Sequence, residues 1–325
     1  MFFSSYLRHS SAAISAAIIA STCATPRASA CSICGCSLSS DWALQNFNSS
    51  AGTEIDGRFE YFAQDQLRSG THAVDRGTLT FPNDDEVQQK TLNRGYWLTI
   101  DQAIGANWGI TAQLPSYSRF HTTIAEGDTD ISSSRASGIG DARILGRYQQ
   151  QTLHQGWSFQ FGLKLPTGKT DQTFFAGPQA GELLDRGLQL GTGSTDAIVG
   201  ASYFLRFANA WSAFAQTVVE APFTAKDDYR PAASFNTNVG IRWLNTSRCT
   251  PQLQINARWD TREHGANADF DNSGDTIVDI SPGLTVDVTQ TSNLFVFLQL
   301  PLYQRVNGLQ IEPHWLLSTG FRWRL

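Results

Sequence analysis

Four cysteines carry the most distinctive chemistry in this sequence. Cys31, Cys34 and Cys36 form a C-x-x-C-x-C cluster, and Cys249 stands far downstream. Three thiols this close suit thiolate coordination of a soft metal, Cu(I) or Zn, with Cys249 available as a fourth ligand, or else a redox pair. A c-type haem site is excluded, since Gly35 rather than His follows Cys34. In an oxidising compartment the same residues would form disulfides, one within the cluster and one to Cys249. Acylation of Cys31 is a third reading, although Ala28 stands where a lipobox has Leu. The three readings remain open here, and with them a periplasmic redox or metal partner.

A second set of residues is ionisable and spread along the chain. Asp141, Arg143, Arg147, Lys164, Arg206, Arg242, Arg258 and Arg322 each alternate with apolar neighbours, as do Asp196, Asp260, Asp279, Asp287 and Arg324. Ionised groups collected on one face of a sheet would line a selective polar pore. They would equally form the salt-bridged interior that any membrane barrel contains. The segment from Asp269 to Asp275 resembles the start of a calcium loop, but Ile280 takes the twelfth position, where a bidentate acid belongs, so it reads as an ordinary acidic loop. G-x-S-x-G and H-E-x-x-H are absent, and the six His are scattered, so no enzyme is expected.

Placing these charges on one face requires long strands. Between Gly138 and Thr170, Asp141, Arg143 and Arg147 point one way, against Ala142, Ile144 and Tyr148. After the polar turn at 151–155, Trp157, Phe159, Phe161, Leu163 and Leu165 oppose Ser158, Gln160, Gly162 and Lys164. Successive strand side chains alternate in direction, so this is a hairpin with one apolar and one polar face. Its arms run to about ten or twelve residues, the length a tilted strand needs to cross a bilayer. The pattern predicts twelve strands, over 56–67, 91–104, 107–120, 139–150, 156–166, 194–206, 209–222, 232–244, 250–261, 275–288, 292–304 and 313–325. Connections alternate between short turns and long loops, with 305–312 of intermediate length. That alternation is the signature of an outer-membrane barrel with tight periplasmic turns and extended outer loops. The expected fold is therefore all-β, a transmembrane antiparallel β-barrel of about twelve strands. Two strands fit poorly: 209–222 is apolar on both faces, and Phe295 and Phe297 fall on the luminal face, where they would pack against a plug or narrow the pore.

Composition agrees. The hydrophobic fraction of 41% is too low for a helical membrane protein, and no apolar run after the N-terminus is long enough for a spanning helix. A net charge of −5 argues against nucleic acid as a partner. Residues 1–30 read as a cleaved signal peptide: Arg8 and His9, an apolar run from Ala12 to Ala20, and an A-x-A site at Ala28-Ser29-Ala30. The expected organisation is a signal over 1–30, a Cys-containing periplasmic segment or plug over 31–55, and the barrel over 56–325, in the bacterial outer membrane.

Gly138-Ile139-Gly140-Asp141, Leu163-Lys164-Leu165-Pro166-Thr167-Gly168, and Pro301-Leu302-Tyr303-Gln304 followed by Val306-Asn307-Gly308 together resemble the outer-membrane family named for the meta-pathway of phenol degradation. The resemblance implies a transporter-like barrel. The expected function is an outer-membrane channel for small molecules of aromatic or hydrophobic character. The alternative is a metal-binding or electron-transfer accessory barrel that works through the cysteine cluster.

Overall fold

The computed structural model describes residues 52–208, 210–244 and 248–325. The signal expected over 1–30 and the cluster of Cys31, Cys34 and Cys36 lie outside the described residues. Fourteen strands are present: β1 (Thr53–Gly70), β2 (His72–Ala73), β3 (Val87–Ile104), β4 (Trp108–Ile124), β5 (Ser132–Ile139), β6 (Ala142–Gln151), β7 (Gln155–Leu165), β8 (Phe174–Ala176), β9 (Asp196–Ala208), β10 (Trp211–Pro222), β11 (Ser234–Trp243), β12 (Cys249–Asp260), β13 (Asp275–Asp287) and β14 (Ser292–Arg324). Every pairing is antiparallel, and the ladder runs β1–β3–β4–β6–β7–β9–β10–β11–β12–β13–β14 before β14 returns to β1. Closure leaves no free edge among these strands, as lipid demands of any sheet that spans it.

The final strand corrects the sequence reading. Residues 305–312, expected as a loop, are strand, and β14 pairs with β13 through Val306 and with β1 from Val306 onward. The chain reverses at Asn307-Gly308, where Gly308 has φ +59. Of this pair only Gly308 takes a positive φ, which glycine adopts without steric cost. The two ends of β14 consequently meet, and the Arg324 amide donates to the Thr291 carbonyl at 2.8 Å. With β14 counted as two arms, the wall has twelve staves, an even number. Its last connection on the long-loop side is a tight turn rather than a loop.

A second difference lies in 121–138, expected as a loop. It contains β5, which pairs with the upper part of β4 while β6 pairs with the lower part. The registers Ser116↔Ile139 and Gln113↔Arg143 differ by one residue. Strands β5 and β6 are thus one stave, interrupted by a bulge at Gly140-Asp141. The barrel also starts at Thr53 rather than at 56.

Alternation sorts the side chains as predicted. Leu98 and Ile100 on β3, Phe159 and Phe161 on β7, and Val239 and Ile241 on β11 are exposed to the outside. Aromatics ring both ends of this apolar band. Trp108, Tyr148 and Trp157 form a chain near the short turns, with centroids 4.9 and 5.5 Å apart, and Trp211 stacks on Trp243. At the other end Phe235 stacks on Trp259, and Tyr61 packs at a tilt against Trp315. Amphipathic rings settle at the headgroup level, so these girdles mark the two membrane interfaces.

The two poorly fitting strands resolve into cross-strand packing. Phe295 and Phe297 are buried inward, 2% and 1% exposed. Each covers a glycine on a neighbouring stave: a Cβ on Gly283 would lie 1.8 Å from the Phe297 ring, and one on Gly320 would lie 2.4 Å from Phe295. Phe214 of β10 covers Gly240 in the same way. These rings fill missing side chains in the wall.

Candidate functional site: the lumen

The inward face of the barrel divides into two levels. Near the short turns it is close-packed. Arg147 is 1% exposed; its Nη2 donates to Asp101 Oδ1 at 2.7 Å and a second guanidinium nitrogen donates to Gln149. Thr111 in turn donates to Asp101 Oδ2 at 2.6 Å. Arg322 holds Glu54 at 3.0 Å and Asp56 at 3.4 Å. Arg242 donates to Gln252 at 3.0 Å and lies 4.4 Å over the Phe214 ring. Above these, Arg58 and Arg143 both lie over the ring of Trp97, at 5.0 and 5.3 Å, and the Trp97 indole N–H donates to Glu60. Arg143 also reaches Glu220 at 2.8 Å. Glu220 pairs with Lys164 at 3.4 Å, and Lys164 pairs with Asp196. This network of alternating charge spans staves from β1 to β10 at mid-height.

The outer level holds a cavity of about 420 Å³, within the size range of small-molecule pockets. Its lining interleaves apolar Phe62, Ile277 and Leu316 with polar Asn256, Arg258, Asp260, Asp279, Gln299 and Glu312, and Ile277 lies opposite Arg258 in the ladder. Arg258 pairs with Asp260 at 3.3 Å and its Nε donates to Asp275 at 3.2 Å.

The segment 166–195 folds inward over this cavity, contributing Gly187, Leu188 and Thr192 to its lining. Asp141 pins it. One carboxylate oxygen accepts from the Gly168 amide at 2.9 Å, and the other from the Thr192 amide at 2.8 Å and hydroxyl at 3.0 Å. The Thr167 hydroxyl donates to the Gly140 carbonyl at 2.9 Å. Gly168 and Gly191 approach so closely that a Cβ on either would meet the other backbone at 2.7 Å, which only glycine permits. Arg119 Nη1 holds the same segment through the carbonyls of Gly187 and Gln189, at 3.2 and 2.9 Å. Ala136, Phe174, Leu184 and Leu190 form a small apolar core beneath it. At the mouth, the Tyr229 hydroxyl donates to Glu263 at 2.7 Å. Burial raises the Glu263 carboxyl above its ordinary value, and the Tyr229 bond pulls against that rise.

The structure brings Asp141, Arg143 and Lys164 together at mid-height, with Arg147, Arg242 and Arg322 below them and Arg258 above. Arg206 is half-buried at the short-turn end of β9, its amide bonded to the His154 carbonyl. Sequence reasoning missed Glu54, Asp56, Arg58 and Glu60, all inward and at most 5% exposed. Their signal was present, since they alternate with Ile55, Gly57, Phe59 and Tyr61. Glu220, Asp101 and Glu312 were also missed. Asp275, read as part of an acidic loop, turns inward to Arg258. Cys249 opens β12; among the described residues its thiol is unpaired, and no group of three or more His, Cys, Asp or Glu is placed to hold a metal.

The family described as "Putative MetA-pathway of phenol degradation" matches residues 69–306, well over half of the chain. The chain belongs to this family. Gly140, Asp141, Thr167 and Gly168, among the residues that suggested the family, fasten segment 166–195 inside the barrel. No curated protein matches the chain. Among solved structures, the COG4313 outer membrane channel from Pseudomonas putida F1 is similar, with a TM-score of 0.62 at 14% identity, covering 85% of this chain and 96% of that one. A Pseudomonas aeruginosa FadL homologue aligns more loosely, with a TM-score of 0.43 at 9% identity over 84% of this chain and 90% of that one. The fold is that of a bacterial outer-membrane barrel.

Proposed function

We propose that the chain is a gated outer-membrane channel for small, largely apolar molecules, aromatic ones among them. The observation that carries this reading is the outer cavity: a ligand-sized space with buried Phe62, Ile277 and Leu316 in its lining, inside a lipid-embedded barrel. The charge network beneath and segment 166–195 above act as inner and outer gates. In planar bilayers the purified protein should give discrete conductance steps, small for a twelve-stave barrel because side chains fill its inner half. Cells made to express it should take up radiolabelled naphthalene faster across an intact lipopolysaccharide layer. Absence of steps at every voltage, together with unchanged uptake, overturns the channel.

The leader, the Cys segment and the soft-metal or disulfide role of Cys31, Cys34, Cys36 and Cys249 belong to the same proposal at the level of sequence. Intact mass of protein from native membranes should place the mature start at Cys31. The same spectrum reads thiols consumed, metal retained or an acyl group added. A start before Cys31 overturns the assigned signal.

A further inference from the structure

We propose that the outer cavity binds a small organic cation, a primary or secondary amine carried on an apolar body. The proposal names a ligand class for the cavity of the channel reading and rests on that reading only for transport.

The argument begins with charge. Asp260, Asp279 and Glu312 line the cavity, with Asp275 just behind. Two guanidinium groups face these four carboxylates, and both are already engaged. Arg258 is held by Asp260 at 3.3 Å and by Asp275 at 3.2 Å. Arg119 spends its Nη1 on the carbonyls of Gly187 and Gln189 and lies 5.0 Å over the Tyr117 ring. Glu312 is only 3% exposed, and among the described residues it makes no close ion pair and accepts no hydrogen bond; the guanidinium that acts on it is Arg258, which Asp260 and Asp275 already hold. Asp279, on the adjoining wall, makes no close ion pair and accepts no hydrogen bond among them either. Carboxylates withdrawn from bulk water that share one guanidinium, already held by Asp260 and Asp275, are costly, and an arriving cation lowers that cost.

The surroundings decide which cation. A hard metal ion needs six or more oxygen ligands at short range, and no such group is arranged among the described residues. An ammonium needs only acceptors for its three donors, which Asp279 and Glu312 supply. Phe62, Ile277 and Leu316, each under 10% exposed, give the rest of the ligand an apolar bed. The Phe62 ring adds attraction for a cation that approaches its face.

Isothermal titration calorimetry on the full chain in detergent at pH 7 tests this with three probes of one shape: phenethylamine, 2-phenylethanol and 3-phenylpropionate. The amine should bind at least tenfold more tightly than either of the others. Glu312→Gln should weaken the amine at least tenfold and leave the alcohol unchanged. Asp279→Asn should act in the same direction, and it carries the test if Glu312→Gln loses the heat-modifiable gel mobility of a folded barrel. Equal affinity for amine and alcohol, or an amine affinity indifferent to both substitutions, overturns the proposal. So does calcium binding in place of the amine. Conductance steps without amine selectivity overturn this inference alone, whereas selective amine binding in a protein that never conducts supports it and removes the channel.

Discussion

Asp141→Ala should raise single-channel conductance severalfold and open segment 166–195 to trypsin on intact cells, at Lys169 or Arg186. Asp141 is 7% exposed and accepts three hydrogen bonds from that segment, two at Thr192 and one at Gly168. Hydrogen bonds to a charged acceptor contribute about 1.5–3 kcal/mol each, and three sharing one carboxylate do not add fully. A loss of about 3–5 kcal/mol at this hinge is the scale expected. The segment should swing as a unit rather than unfold. Gln189 ties it internally, donating to the carbonyls of Gln172 and Leu184, and Phe174, Leu184 and Leu190 keep their common core. Lys164 keeps Asp196 and Glu220, so the charge network below survives. Asp141→Asn, which retains one acceptor oxygen, should fall between the two. Unchanged conductance and unchanged cleavage in Asp141→Ala would assign the clamp to Arg119 and the apolar core instead.

Strand direction was legible wherever one face met lipid. Ile144 and Tyr148 against Arg143 and Arg147 fix a period of two, and closure follows because lipid tolerates no open edge. Legibility failed where both faces are polar. Gln310 and Glu312 read as loop because, in sequence, a luminal residue is indistinguishable from a solvent-facing one. The serines of β5 are hidden for the same reason. Register was the other obstacle. Phe295 and Phe297 have sensible partners only once Gly320 and Gly283 are known to lie opposite them, and Arg147 finds Asp101 across 46 positions of sequence. A pattern of alternation states which face a residue takes but not which neighbour it meets. The lumen could thus be read as charged, and its division into a packed inner half and an open outer half could not. The cysteine cluster was the loudest local signal, and it lies outside the described residues.

Arg147 separates a structural brace from a selectivity charge, and reversing or removing it should have the largest effect on stability of any single luminal change. The guanidinium is 1% exposed and sits between Asp101 at 2.7 Å and Gln149, over the space left by Gly109. Taking away one member of a buried pair leaves the other charge uncompensated, at a cost of about 3–5 kcal/mol. Arg147→Ala should therefore lower the urea midpoint for loss of heat-modifiable mobility by the equivalent of that amount. Arg147→Glu, which sets two carboxylates against each other, should fold poorly or not at all. Replacing both partners with apolar residues of similar volume, Arg147→Met with Asp101→Leu, should recover most of the loss, because the desolvation penalty of both ions disappears together. A charge that faced water in an open pore would behave otherwise. Its removal would leave the midpoint in place and shift only the ratio of cation to anion current, and Arg147→Ala with that phenotype would mean that the inner half of the barrel is open.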